Sequence, residues 1–356
     1  MKIGILGFPQ CGKKTLFQLL TGIVPHVESR HMKPVPGTAN IRDTRFDVLV
    51  ELYNPRKQAP AQILMELLPD LDSRVMREED IFKDTANLDA ICHVVRVFKD
   101  DTIYHVSGSI DPARDIKEIE NEFILHDLIF TEKRLERIAK NAKGGITDRQ
   151  KREKALFKRF KEHLESDLPL RITDMSHEDM KLVNGYPFLT MKEMVVALNT
   201  SDNLPESEEV RDRLNGKYSE LGINIIRISA RLEGEIALLE SREERSEFME
   251  DAGIEESAIN QLSKMCMNAL GLISFFTVGK DEVRQWLVRR DSLAPEAGGV
   301  IHSDLERGFI RAEVIKYEDL IEFGSEDKVK QAGKLYVMGR DYQVADGDII
   351  NFLFNV

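Results

Sequence analysis

Cysteine is scarce in this sequence, and its spacing excludes more than its number does. Three residues of 356, Cys11, Cys92 and Cys266, stand far apart and form no CxxC pair. That pattern argues against a disulfide framework and against a zinc site built on paired thiolates, and it fits a reducing cytoplasm. Long apolar runs are missing as well. No stretch approaches the ~20 residues that cross a bilayer, and the chain opens at once on a core strand, so neither signal peptide nor membrane anchor is expected. Net positive charge is also lacking: 50 Lys and Arg against 62 Asp and Glu leave −12. The molecule as a whole is therefore no generic polyanion binder, and any RNA contact has to come from a local basic patch. A length of 356 residues leaves room for two or three domains with proper cores.

What is present is concentrated at the start. Ile3 to Leu6 has the length and β-branched content of a buried strand, and an amphipathic pattern resumes at Thr15 and runs through Leu19 and Leu20. Between them lies Gly7-Phe8-Pro9-Gln10-Cys11-Gly12-Lys13, the spacing of a phosphate-binding P-loop. Glycines let successive N–H groups point inward, the helix N-terminus adds positive potential, and the lysine reaches the β- and γ-phosphates. One position departs from the pattern. The residue after the lysine should carry a hydroxyl for Mg²⁺, and it is Lys14.

Further on, 21–37 reads as an irregular loop whose His26 and His31 lack the clustered carboxylates or cysteines of a metal site. A helix is expected over 45–53 and buried strands over 62–68 and 88–98, with His93 a satisfied buried histidine rather than a ligand. A switch protein would end the first of these strands, 62–68, in D-x-x-G, whereas the text here is Glu66-Leu67-Leu68-Pro69, and proline has no N–H to donate to a γ-phosphate. A helix over 110–124 precedes two charged helices over 125–164 joined at Gly144-Gly145. This hairpin is basic, and Arg134, Arg137, Lys140, Lys151, Arg152 and Lys158 form its candidate patch for RNA or a protein partner; a plainly solvated helical surface is the other reading. A strand over 187–198 ends at Asn199-Thr200-Ser201-Asp202, an asparagine followed three residues later by a carboxylate, as in guanine-reading loops. A strand over 223–228 runs into Ser229-Ala230, placed to pack over a base. After an acidic helical stretch over 233–270, short strands and tight turns mark a separate β-rich domain.

The C-terminal text, with GLISFFTVGKDEVRQW, AGGVIHSDLERGFIRAEVI, GKLYVMGRDYQVADGD and the ending INFLFNV, resembles the Obg-like ATPase (YchF) family, and the similarity extends over essentially the whole chain. The resemblance implies an α/β fold: a doubly wound P-loop NTPase domain over 1–124 and 186–270, an inserted helical hairpin or coiled-coil arm over 125–185, and a ubiquitin-like TGS domain over 271–356. It implies weak hydrolysis of ATP or GTP, and association with ribosomes or translation factors. The family's NVGKST falls on Gln10-Cys11-Gly12-Lys13-Lys14-Thr15, its switch threonine falls near His31, and its NxxE base loop becomes Asn199 to Asp202.

The candidate phosphate-binding residues are thus Gly7, Gln10, Cys11, Gly12, Lys13, Lys14 and Thr15, and the candidate base-binding residues Asn199, Thr200, Asp202, Ser229 and Ala230. No catalytic residue is assigned. No metal ligand is assigned either, Thr15 keeping the one hydroxyl next to the lysines. Phosphoryl transfer rests on positioning and on Mg²⁺ neutralising charge, so these losses together predict very slow or absent turnover. The expectation is a cytoplasmic, monomeric nucleotide-binding protein without a membrane partner; the alternative is a non-hydrolysing adaptor acting through the TGS domain and basic arm.

Overall fold

A computed structural model describes residues 1–25, 33–71, 79–141, 147–201, 205–239, 241–252, 254 and 256–355. From the N-terminus, β1 (Lys2–Leu6) leads into α1 (Lys13–Thr21), followed by β2 (Val35–Asn40), α2 (Thr44–Tyr53), β3 (Lys57–Ala59), β4 (Gln62–Leu67), α3 (Glu79–Ala86) and β5 (Ala90–Arg96). Next come α4 (Pro112–Asn141), α5 (Asp148–Glu165), α6 (His177–Val183), β6 (Glu193–Asn199), α7 (Pro205–Tyr218), β7 (Ile223–Ile228), α8 (Ala230–Leu238), α9 (Arg242–Asp251) and α10 (Ala258–Ala269). The last part holds β8 (Leu272–Thr277), β9 (Glu282–Arg289), α11 (Ala294–Ile301), α12 (Ser303–Arg307), β10 (Phe309–Ile315), α13 (Tyr317–Phe323), α14 (Glu326–Gln331), β11 (Tyr336–Met338) and β12 (Ile349–Phe354). The chain divides into two units, Met1–Gly37 with Leu64–Leu262, and Thr38–Ile63 with Ser263–Val356.

The first unit is built on a sheet of order β2-β4-β1-β5-β6-β7. The run β4-β1-β5-β6-β7 is parallel throughout. Every residue of β5 and all but the first of β6 are buried, the continuous apolar reading that a parallel sheet covered on both faces demands. Leu6, Leu88, Ile91, Val95, Ile116, Phe123, Val196 and Leu198 share one core, so α4 is pinned to the sheet by its first turns. In such a sheet the ligand crevice lies beyond the carboxyl ends of the strands. The loops that leave β1, β5, β6 and β7 carry the candidate residues there.

Two sequence expectations need correction in this unit. The segments expected as a helix over 110–124 and a separate one from 125 are a single 30-residue helix, α4. Nothing between Ile124 and Leu125 interrupts helical geometry, and buried Ile116, Ile119, Phe123, Ile124, Asp127 and Thr131 keep one stripe turned inward across that point. The Gly144-Gly145 junction lies outside the described residues. Second, β6 begins at Glu193 and not at Pro187. The Leu189 and Thr190 amides donate to the buried Asp127 carboxylate at 3.0 and 2.8 Å, which takes them out of any strand ladder.

The hairpin has its own core. Phe157, Phe160 and Phe188 are buried with Ile124, Leu156 and Leu164, and the Phe160 and Phe188 rings meet edge-on with centroids 5.4 Å apart. α5 starts on a reciprocal capping box between Thr147 and Gln150.

In the second unit the sheet order is β11-β10-β12-β8-β9-β3. α2 and β3 belong here: Phe46 and Leu49 share a core with Phe276, Val283, Ile315 and Ile349, and β3 pairs in parallel with β9. Arg45 clasps its own helix cap Asp43 and reaches Asp346 at 2.8 Å in the turn before β12. The β-rich reading holds for this unit, and α11 to α14 lie between its strands. They are short, 5 to 8 residues each, too brief for a helical period to stand out from turn text.

Candidate phosphate-binding site

The loop after β1 closes around Gly7 and Gly12. A Cβ on Gly7 would fall 2.5 Å from the Val94 carbonyl oxygen and 2.7 Å from Cys11 Sγ, so no larger residue fits. Gly12 caps α1 with φ +93°, and a Cβ there would fall 2.1 Å from Asn199 Nδ2. Gln10 is also in the left-handed region, with φ +61°, which completes the curl of the loop. Burial pushes the Cys11 thiol up to about 11, so it is a packing residue and no nucleophile.

Lys13 extends from this loop with its side chain 2% exposed. Its ammonium donates to the Gly7 carbonyl at 3.0 Å and the Pro69 carbonyl at 2.7 Å, and pairs with Asp70 Oδ1 at 3.0 Å. Burial holds its pKa below the usual lysine value, and the neighbouring Asp70 carboxylate opposes that shift. Lys14 stands beside it, its side chain 33% exposed, with its ammonium 3.9 Å from Asp70 Oδ2. Pro69, in the segment read as a degenerate D-x-x-G, meets the lysine through its carbonyl.

Asn199 ties the other walls to this loop. Its amide nitrogen donates to the Cys11 carbonyl at 2.9 Å, and its Oδ1 accepts from the Ala230 amide at 3.1 Å. Its backbone carbonyl accepts from the amides of Val97 and Phe98 at 2.8 and 3.0 Å. Thr200 is buried, its amide bonded to the Ile228 carbonyl at 2.8 Å, and Ser229 caps α8 through Leu232 N. The predicted base-loop residues Asn199, Thr200, Ser229 and Ala230 are thus brought together next to the P-loop. Asp202 lies outside the described residues, as do His26 and His31.

Around these residues is a cavity of about 890 Å³ lined by Gln10, Gly12, Lys13, Lys14, Thr15, Asp70, Phe98 to Asp100, Ile103, Asn199 to Ser201, Ala230 and Arg231. Its volume is in the range of sites for nucleotide-sized ligands. The wall over 98–103 was not anticipated from sequence. Arg96, buried at the end of β5, holds it by donating to the carbonyls of Phe98, Asp100 and Ile103 at 3.2, 3.1 and 3.0 Å. Its guanidinium also lies 4.5 Å from the Phe98 ring centroid. A cation inside a wholly buried strand was the readable signal, because such a charge has to find partners. Asp70 was missed because it is one residue beyond the degenerate D-x-x-G text.

His93 is buried as expected, but it is not satisfied: neither ring nitrogen has a hydrogen-bond partner among the described residues. It is fully buried, and burial pushes its pKa down to about 3, with Lys13 adding to the effect. The candidate patch on the hairpin is less open than its composition suggests. Arg134 pairs with Glu153 at 2.7 Å, Arg152 with Glu178 at 2.6 Å, Lys151 with Asp148 at 3.0 Å and Lys140 with Glu136 at 3.7 Å, while Arg137 and Lys158 take no part in these pairs.

With this geometry in hand, the comparisons with known proteins decide the family. The chain is 39% identical to the ribosome-binding ATPase YchF of Bacillus subtilis, covering 99% of each chain. It is 36% identical to the protein of that name from Escherichia coli O157:H7, covering all of this chain and 99% of the relative. It belongs to the YchF family. The solved structure of the Schizosaccharomyces pombe YchF GTPase superposes with a TM-score of 0.85 at 30% identity, covering 99% of this chain and 97% of that one. Residues 272–355 match the family model YchF-GTPase_C, described as a protein of unknown function (DUF933). The P-loop NTPase fold with a C-terminal β-rich domain therefore stands. Among the described residues no helix is long and apolar enough to cross a membrane.

The YchF fold implies a nucleotide and a divalent cation, and the residues fit the two unequally. The glycine cradle, the buried Lys13 and the cavity suit a polyphosphate. For a cation the donors are poor: among the described residues no group of three or more His, Cys, Asp or Glu could hold a metal ion. Among the described residues Asp70 is the carboxylate paired with the P-loop lysines, and it already lies 3.0 and 3.9 Å from two ammonium groups. Unit charges ~4 Å apart interact by about 4 kcal/mol at an effective dielectric near 20, so a divalent ion held by Asp70 would be repelled by both lysines by comparable or larger amounts.

Proposed function

We propose that this YchF-family chain binds a nucleoside triphosphate, ATP or GTP, in the cavity at the P-loop, associates with ribosomes as its relatives' names describe, and hydrolyses the nucleotide very slowly or not at all. One observation carries the reading: Lys14 and Pro69 stand where a magnesium hydroxyl and a γ-phosphate-sensing amide belong, while Lys13 and its cradle are complete. Each lost electrostatic contribution is worth roughly 3 kcal/mol, about two orders of magnitude in rate. Purified protein is expected to release phosphate from ATP or GTP with Mg²⁺ no faster than its Lys13→Ala variant does. Turnover in the wild type that this variant abolishes would overturn the loss of hydrolysis.

A second reading is a non-hydrolysing adaptor that works through the C-terminal domain and the hairpin. The same departures around the metal favour it, since the C-terminal 272–355 match is preserved alongside them. Ribosome co-sedimentation with and without added nucleotide separates the two: an adaptor of this kind binds equally in both.

A further inference from the structure

The two lysines and Asp70 form a charge arrangement complete in itself. Lys13 is buried and held on three oxygens, those of Gly7, Pro69 and Asp70, and the Asp70 contact alone comes from an exposed, movable side chain. The Asp70 carboxylate is 38% exposed and bridges Lys13 and Lys14, so it occupies the place of a small anion at the mouth of the loop. Among the described residues Lys13, Lys14, Lys99 and Arg231 line the cavity against Asp70 and Asp100, a cationic surplus facing the space where a polyphosphate would lie. A strongly anionic ligand needs its charge neutralised.

We propose that this pocket takes the polyphosphate of a nucleotide without a divalent cation, Lys14 standing in for the metal, and that Asp70 is the internal anion the phosphates displace. The inference rests on the nucleotide-binding reading above and adds the ionic form of the ligand. Both side chains that change are partly exposed, so Asp70→Asn and Lys14→Ser leave the core untouched.

Calorimetric titration of the full chain with ATP, GTP and inorganic tripolyphosphate, each in EDTA and in Mg²⁺, tests it. Affinity in EDTA is expected within about threefold of that in Mg²⁺. Asp70→Asn should tighten binding in EDTA about tenfold by removing the competitor, and Lys14→Ser should weaken it about tenfold and make Mg²⁺ help. Wild-type binding seen only with Mg²⁺, or Asp70→Asn weakening binding in a Mg²⁺-dependent way, would mark Asp70 as a metal ligand and overturn the inference while leaving nucleotide binding intact. No binding in either buffer would overturn the nucleotide reading itself.

Discussion

Asn199 uses both polar atoms of its side chain on the backbone of other loops, Cys11 O and Ala230 N, and its carbonyl on a third. These bonds make it a positioning residue for the P-loop and for the start of α8, and they use one of its two amide hydrogens and one of the two lone pairs on Oδ1. Its nitrogen also fills the space that forces glycine at position 12. Replacing it strands a buried carbonyl and a buried amide, which costs about 1–3 kcal/mol. Asn199→Ala is therefore expected to destabilise the protein by about 2 kcal/mol in urea unfolding and to weaken nucleotide binding through a loosened P-loop. Lost affinity without lost stability would instead place Asn199 against the ligand. The P-loop was legible residue by residue because its chemistry demands fixed spacing. The role of Asp70 was not, since no motif assigns a carboxylate one residue beyond Pro69.

At the scale of elements, the sequence was most readable where burial is continuous. β1, β5 and β7 lie close to where the apolar runs put them, because a parallel strand covered on both faces has little else to be. Placement of segments in space was less readable. α2 and β3 precede β4 in the chain, yet the apolar face of α2 is claimed by Phe276, Val283 and Ile349 and β3 pairs with β9, all from more than two hundred residues later, and no local pattern records that. The hairpin is similar in part: Lys140 with Glu136 and Lys151 with Asp148 are neighbours one turn apart on a helix, but the pairing of Arg134 with Glu153 and of Arg152 with Glu178 is tertiary. The exposed pairs, with Glu136, Asp148 and Glu178, contribute about 0–1 kcal/mol each, whereas Glu153 is buried. If the arm contacts ribosomal RNA, Arg137→Glu with Lys158→Glu should reduce co-sedimentation with ribosomes several-fold at low salt, with little effect at high salt. Unchanged sedimentation at both salts would return the arm to a solvated surface.

For the whole molecule, the net charge of −12 and the cationic cavity are separate facts, the first governing solubility and the second the ligand. Stability should depend on acid through His93, which lies in the central sheet with neither ring nitrogen hydrogen-bonded among the described residues. Its pKa falls from an ordinary value near 6.5 to about 3 in the folded chain. The unfolded state then takes up the proton first, so this contribution is full above pH ~6.5 and is lost as pH falls from there toward 3. The urea midpoint should drop between pH 7.5 and pH 5, and His93→Leu should shrink that drop. An equal drop in the variant would assign the acid sensitivity to other groups.

The central claim, a pocket that holds nucleotide and has stopped cleaving it, is tested most directly by a single-turnover experiment. Protein in excess is incubated with α-labelled ATP or GTP and Mg²⁺, and the bound fraction is recovered and analysed. The account predicts bound, intact triphosphate after hours. Bound diphosphate that accumulates with the wild type and not with Lys13→Ala would contradict it.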